Sequence, residues 1–259
     1  MSKLMDRHNV VGEMAASFHV IEIEDHRAVE LPWKGGNPPW RALFGLRGPR
    51  PMEILAKYFG LQTNRIATVR QVHGVSIWVV DAAQASDPSG PEREADAMIT
   101  KRPGMAIAIR TADCLPILIW DEVNKVAAAV HAGWRGSLNA IASKAVLTMR
   151  SSFGSHPGDL RVGIGPAIGP CCYEVNGPVL TPLRERFGYW SEVVREKGNG
   201  KGMLDLAGLN FRQLVATGVP PEGITVAYAC TFCHPERFYS FRRDGDSSGG
   251  MISGIMIQA

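Results

Sequence analysis

Three side chains able to hold a metal ion or attack a substrate stand at the ends of short apolar runs. They are His73 in Gln71-Val-His73-Gly74, Cys114 in Thr111-Ala-Asp-Cys114-Leu-Pro, and His131 in His131-Ala-Gly-Trp-Arg-Gly136. Two imidazoles and a thiolate suit borderline-soft zinc, and three protein ligands leave a fourth position open, which marks a catalytic rather than a structural site. The same donors resemble a trigonal blue-copper centre, so copper is the alternative by ligand type. Each residue alone has a plainer reading. A buried Cys usually packs as a small hydrophobe, and a His on an apolar strand is more often a satisfied core residue. Their shared position beside glycine turns favours a site.

The elements that must position them centre on residues 107–136. Leu115–Trp120 and Val126–Val130 are strand-length and rich in branched side chains, and Asp121-Glu-Val-Asn124 between them reads as a turn. The expected element is a hairpin buried on both faces. With a four-residue turn Trp120 pairs with Lys125, and counting outward sets Cys114 opposite His131, where Cβ atoms are roughly 4.5–5.5 Å apart. A one-residue slip would put the two on different faces. After Gly136, apolar residues over Leu138–Met149 recur at helical spacing. His131 to Gly136 is therefore a strand-to-helix turn whose glycines admit a ligand and whose free N–H groups favour an anion, with Arg135 placed to clamp a phosphate or carboxylate.

The surrounding chain is expected to supply strands at 18–23, 28–31, 41–46, 97–100, 105–110, 159–165, 224–229, 238–242 and 252–257, with two more around His73. Helices are expected at Pro51–Phe59, where Pro sits at the first position, and at 177–187 and 206–216, the last capped by Asp205. The PWKGGNPPW segment reads as turns and residues 82–95 as a loop, and His8, His19 and His26 read as solvated. Strands outnumber helices without strict alternation, so the class is α+β. We expect one domain over 1–259.

Composition narrows the function. At 259 residues, with 45% hydrophobic and 20% charged, the chain can bury a large core. A net charge of +3 without a Lys/Arg cluster argues against nucleic-acid binding. No apolar run approaches the roughly 18 residues of a bilayer span, and charges interrupt the first residues, so no membrane partner and a cytoplasmic location are expected. The five cysteines are then reduced thiols or ligands rather than disulfides.

Other motifs have plainer readings. Gly163-Ile-Gly-Pro-Ala-Ile-Gly169 lacks a dinucleotide fingerprint, because Ile168 stands where a third glycine is required, and reads as a rigid wall or a nest of N–H groups. Cys230-Thr-Phe-Cys233-His234 matches the c-type haem attachment pattern without the export such haem needs. As a second zinc site it lacks a fourth ligand nearby, so core packing with a loop histidine is the expectation. Adjacent Cys171 and Cys172 rarely bridge each other; one is expected to line the cleft and the other the core. Arg242-Arg243-Asp244 is either a surface ion pair or, beside the cleft, an anion site.

RQVHG around His73, TADCLPILI around Cys114, HAGWRG around His131, GIGPAIGPCCYEV and FYSFRRDG, in one order between about residues 66 and 245, resemble the YfiH-like family, also called laccase-domain proteins or multicopper polyphenol oxidases. The resemblance implies a layered α/β sandwich with mixed sheets and flanking helices, and a zinc site of His73, Cys114 and His131. It implies action on purine nucleosides: phosphorolysis of adenosine, inosine or methylthioadenosine, with phosphate as second substrate, and deamination of adenosine. Peptidoglycan-precursor editing by amide hydrolysis and copper-dependent phenol oxidation are alternatives within the family. None of the seven histidines forms the His-x-His pair of multicopper oxidases. A zinc- or partner-binding module is the non-enzymatic reading, which an open three-ligand site disfavours.

On this reading Asp113 supports a metal ligand from behind or shuttles a proton, or else is an Asp bonded only to backbone. Cys114, Asp113 and Arg135 form the catalytic set, and Gln71, Arg47, Arg242 and Arg243 the substrate contacts. The protein would be a monomer or weak homo-oligomer. Relatives carry an Arg, paired glycines and a Ser-Leu-Asn segment where this chain reads FGLRGPRPMEIL. Arg47 keeps the arginine, and the shortened remainder bears on substrate choice more than on metal binding.

Overall fold

The strands Leu115–Asp121 and Val126–Ala132 form the expected hairpin, every residue of both strands buried. The computed structural model describes residues 19–23, 26–31, 39–80 and 93–258. His8, Phe18, the His26 side chain, most of the PWKGGNPPW turn and residues 82–92 lie outside the described residues.

The hairpin register corrects the expected one by two residues: Trp120 faces Ala127, and His131 faces Pro116. Asp121 is the reason. It belongs to the strand, and its carboxylate accepts the backbone N–H groups of Val123 and Asn124 and the Asn124 amide, each at 2.9 Å. The loop is thereby moved on to Glu122–Lys125, with Lys125 in the left-handed region at φ 53°. A two-residue slip keeps parity, so Cys114 and His131 still share a face.

Burial opposes ionisation of Asp121, but the Ser155 hydroxyl together with these donors outweighs it and holds the carboxyl below its ordinary value of 3.8. A lowered folded-state pKa contributes stability that is present above the ordinary value and lost as pH falls through the folded one. We expect Asp121→Ala to cost about 2 kcal/mol at neutral pH. In denaturant titrations the gap between it and the unmodified protein should close below about pH 4; a gap independent of pH would refute the role of the charge.

The hairpin lies inside a six-stranded sheet ordered Ile224–Val226, Leu160–Ile164, Leu115–Asp121, Val126–Ala132, Ala97–Thr100, Ile77–Val79. A second sheet is ordered His19–Ile23, His26–Glu30, Trp40–Gly45, Met251–Ile257, Ala106–Thr111, Ile66–Ala67. Both mix parallel and antiparallel pairs. Period-two alternation sends the hairpin's two faces to different cores. Ile117, Ile119, Ala128 and Val130 pack with Ile141, Ala145 and Met149 of the Ile141–Phe153 helix. Leu118, Trp120, Ala127 and Ala129 pack with Phe44, Ile107, Ile109 and Ile255 of the second sheet. The arrangement is the expected α+β layered sandwich, sheet against sheet with flanking helices.

The helices Pro51–Phe59, Gly177–Arg186 and Leu206–Ala216 stand where expected, and the Asp205 carboxylate accepts the Gly208 N–H at 2.8 Å as N-cap. Three expectations are corrected. The segment 238–242 is no strand: Ser240 caps a short helix, Phe241–Asp244, its Oγ accepting the Arg243 N–H at 3.3 Å. The helix over 138–149 is two, Trp134–Leu138 and Ile141–Phe153, broken at Ala140, whose φ is 57°. A three-stranded sheet, ordered Glu174–Val175, Lys201–Leu204, Val194–Gly198, was not anticipated.

Candidate metal centre

Cys114 precedes the first hairpin strand and His131 ends the second, and His73 arrives from a turn beside them. The ligand atoms of the three lie within 4.8 Å of one another. Cys114 Sγ is 3.7 Å from His73 Nε2, and the two imidazoles meet edge to face with ring centres 4.8 Å apart. Continuing the register past Ala132 sets Cys114 level with Gly133. A Cβ there would lie 2.9 Å from His73 Cδ2 and 3.1 Å from Cys114 Sγ, so only glycine leaves the three ligands room to converge.

Asp96, which the sequence reading did not single out, holds two of the three. It is fully buried, one residue before the Ala97–Thr100 strand. Its carboxylate accepts the consecutive N–H groups of Val72, His73 and Gly74 at 3.3, 2.9 and 2.6 Å and the Nδ1–H of His131 at 2.8 Å. Three successive N–H groups can converge on one anion because His73 takes a left-handed φ of 59°. Donation from Nδ1 leaves His131 Nε2 as the nitrogen free to ligate. Burial opposes ionisation of Asp96, yet His131 and the Gly74 and His73 N–H groups bring its pKa below the usual value.

The same balance acts on the ligands. Burial alone would lower the His131 pKa, but hydrogen bonds and charge from Asp96 and Cys114 raise it to about 9. Burial alone would raise the Cys114 thiol, but His131 and His73 bring it down to about 7.

The centre forms part of the wall of a cleft of about 790 Å³ that Gln71, Asp113, Arg135 and Arg242 also line. Arg47 and Arg243 do not line it. The Arg47 guanidinium lies over the Tyr239 ring and donates to Pro235 O at 3.1 Å. Arg243 donates to the carbonyls of Thr231, Phe232 and Phe238 and pairs with Asp244, so its donors are spent inside the fold. Gln71 lines the cleft with its amide matched to Arg110, donating to the Arg110 carbonyl at 2.8 Å and accepting its N–H at 2.7 Å. Arg242 stacks on Tyr173 and donates to Glu174 O at 3.1 Å. Arg135 lies over Trp134, 4.2 Å from the ring centre, and pairs with no carboxylate among the described residues.

Asp113 is a tie between segments. In the left-handed region at φ 84°, its carboxylate accepts from Thr231 Oγ1 at 2.6 Å, Ser240 Oγ at 3.0 Å and Arg242 N at 2.6 Å. Side chains as well as backbone hold it, so the alternative of an Asp bonded only to backbone is not what the fold contains.

The cysteines are rearranged relative to expectation. Neither Cys171 nor Cys172 lines the cleft; both lie with Cys230 and Cys233 in a second cluster. His234 is apart from it, 3.5 Å from the Glu236 carboxylate and against Phe238. The cleft walls missed by the sequence reading are Trp134, Tyr173, Phe241 and Arg110. Phe241, 56% exposed, is the one with a detectable signal, an aromatic beside two arginines that no core claims.

Fold and site together define an α+β protein with an open two-histidine, one-cysteine centre in a cleft walled by aromatic rings and arginines. A family profile described as "Multi-copper polyphenol oxidoreductase laccase" matches residues 50–258. The chain belongs to this family, the YfiH-like laccase-domain proteins. It is 36% identical over 192 residues to a protein of Bacteroides thetaiotaomicron named "Purine nucleoside phosphorylase", covering 72% of this chain and 71% of that one. It is 33% identical over 206 residues to "Adenosine deaminase RL5" of an unknown prokaryotic organism, covering 78% of each. Among solved structures, YfiH of Bacillus licheniformis superposes with a TM-score of 0.82 at 26% identity, over 93% of this chain and 99% of that one. YlmD of Geobacillus stearothermophilus superposes with a TM-score of 0.80 at 29% identity, over 92% and 98%. No helix among the described residues is long and apolar enough to cross a membrane.

Proposed function

We propose that this protein is a zinc-dependent purine nucleoside enzyme catalysing phosphorolysis of adenosine, inosine or methylthioadenosine and deamination of adenosine. One observation carries the reading: two imidazoles and a low-pKa thiol converge in the wall of a cleft that Trp134, Phe241 and Arg135 also line, and Arg135 pairs with no carboxylate among the described residues. The printed names of relatives at 33–36% identity support the substrate class.

The donor set fits a borderline-soft ion, with Asp96 orienting His131 and the His73 turn behind it. A zinc ion held by His73, Cys114 and His131 would act as a Lewis acid toward an oxygen in its open position. Phe241, which lines the cleft and is exposed, offers a face against which a purine can stack. Arg135 is the anion site for phosphate, its plane already set by Trp134. Asp113 fixes the Arg242 backbone, and Gln71 fixes Arg110, so both act by positioning. The two reactions differ in the bond cut. Phosphate attacks ribose C1′ and the purine leaves; water attacks adenine C6 and ammonia leaves.

The test is product analysis of zinc-loaded protein given adenosine with and without phosphate. Adenine that forms only with phosphate, together with inosine that forms without it, is the expected result; neither product would overturn the proposal.

Hydrolysis of an amide in a cell-wall precursor is the second reading. The line from Cys114 through His131 to the Asp96 carboxylate supports it, being a nucleophile, a base and an orienting acid in sequence. Faster turnover of a seryl muramyl nucleotide than of adenosine would select it.

A further inference from the structure

Four of the five cysteines of this chain meet outside the cleft's centre. Cys171 and Cys172 close the Gly/Pro loop that follows the Leu160–Ile164 strand, and Cys230 and Cys233 stand in a turn after the neighbouring Ile224–Val226 strand. Two backbone hydrogen bonds lace the segments together, Thr231 N–H to Ala167 O at 3.0 Å and Ala167 N–H to Ala229 O at 3.3 Å. The four Sγ atoms lie within 4.8 Å of one another, with Cys172 3.4 Å and Cys171 3.6 Å from Cys233. All four are free thiols.

We infer that Cys171, Cys172, Cys230 and Cys233 form a second, four-thiolate metal site that binds a structural zinc ion. The geometry is close to what such an ion needs. A zinc–sulfur bond of about 2.3 Å puts the corners of a tetrahedron about 3.8 Å apart. The short sulfur pairs already sit near that value, and the longest edge must contract by only about 1 Å. The chemistry agrees: four sulfurs and no oxygen or imidazole select a soft ion over magnesium or calcium. A Cys-x-x-Cys turn supplies two ligands with spacing common in structural zinc sites, and the adjacent pair supplies the others. The fourth ligand that the Cys230-Thr-Phe-Cys233-His234 motif lacks locally comes from a loop about 60 residues earlier.

Four protein ligands leave no open position, so this site differs in kind from the one at His73, Cys114 and His131. Its place in the fold gives it a task. The Cys230 Sγ accepts the Gly169 N–H at 3.2 Å. Ile168 and Tyr173, on the same loop, line the cleft, and Thr231, between the two turn cysteines, donates to Asp113. An ion bound here would fasten the loop and the turn that together build one wall of the cleft.

The experiment is metal analysis of protein purified under reducing conditions with zinc, beside Cys233→Ser, Cys172→Ser and Cys114→Ala, followed by cobalt substitution of each. The unmodified protein should hold two equivalents, and each variant should lose one of them. Cobalt-loaded unmodified protein and Cys114→Ala should show the intense thiolate-to-cobalt charge transfer of a four-sulfur tetrahedron; Cys233→Ser and Cys172→Ser should lose it. The unmodified protein's own stoichiometry and spectrum decide the matter even if a serine variant fails to fold. A single ion lost with Cys114 but not Cys233 would overturn the inference, as would a native disulfide joining the two segments. A single ion lost with Cys233 but not Cys114 would uphold it and overturn the zinc reading of the cleft.

Discussion

Alanine at Cys114 is expected to abolish metal retention in the cleft and catalytic turnover together, with little loss of stability. The thiolate is the only anionic ligand of the three, and its removal leaves two imidazoles to hold a dication. The affinity loss should exceed the roughly 10–100-fold that follows removal of an outer-shell partner. The fold should tolerate the change, because Cys114 precedes its strand and is only half-buried, and we expect a cost of about 1 kcal/mol or less. Equilibrium dialysis against a chromophoric chelator measures the first effect, and product formation from adenosine the second. Turnover that persists in this variant would dispose of both the zinc mechanism and the cysteine-nucleophile reading.

Asp96→Asn should damage both the centre and the fold. The carboxylate meets four donors: the N–H groups of Val72, His73 and Gly74 and the His131 Nδ1–H. An amide of the same shape offers one acceptor oxygen and presents an NH2 group where the other oxygen stood, so some donors face a donor in a fully buried place. Each buried group left unsatisfied costs about 1–3 kcal/mol, and two of them make a loss of about 2–6 kcal/mol. Metal affinity should fall about 10–100-fold, because His131 loses the partner that fixes its tautomer and the His73 turn loses its anchor. Denaturant unfolding of the metal-free proteins and zinc competition measure the two effects separately. An Asn variant with the parent's midpoint and affinity would show that Asp96 is a bystander.

Why the three candidate ligands were legible in the sequence and the residue that orients two of them was not follows from where the partners lie. Cys114 and His131 close one hairpin, so apolar runs and a polar turn bring them together with little knowledge of the rest. Parity protected that reading even though Asp121 shifted the register by two. Asp96 follows a polar, acidic loop, and its contacts are to residues 22 to 35 positions away on both sides. Nothing beside it in the chain distinguishes it from a solvated acid.

The arginines show the opposite failure. Residue type alone points Arg47, Arg135, Arg242 and Arg243 at an anion, yet only burial and partners reveal that Arg243 is spent on three carbonyls and Asp244. Secondary structure was legible where apolar runs or a terminal signal were strong, as in the hairpin and in the Pro51–Phe59 helix with Pro at its first position. It failed where capping overrode β-propensity, at Ser240, and where charged strands looked like surface, at Val194–Gly198. Lys197 of that strand and Lys201 of its neighbour clasp Glu174 at 2.7 and 2.8 Å, contacts that no local pattern announces.

The separations along the chain also set an order of assembly. A hairpin closes in roughly 1–10 μs, which brings the thiol of Cys114 and the imidazole of His131 to one end almost as soon as the strands pair. His131 finds its acid 35 residues upstream, in chain already made, whereas Asp113 waits for hydroxyls 118 and 127 residues downstream. Those closures are entropically later events. During synthesis His73, Asp96, Cys114 and His131 would therefore all leave the ribosome well before the wall carrying Thr231 and Ser240, so the candidate centre can form before the cleft around it is complete.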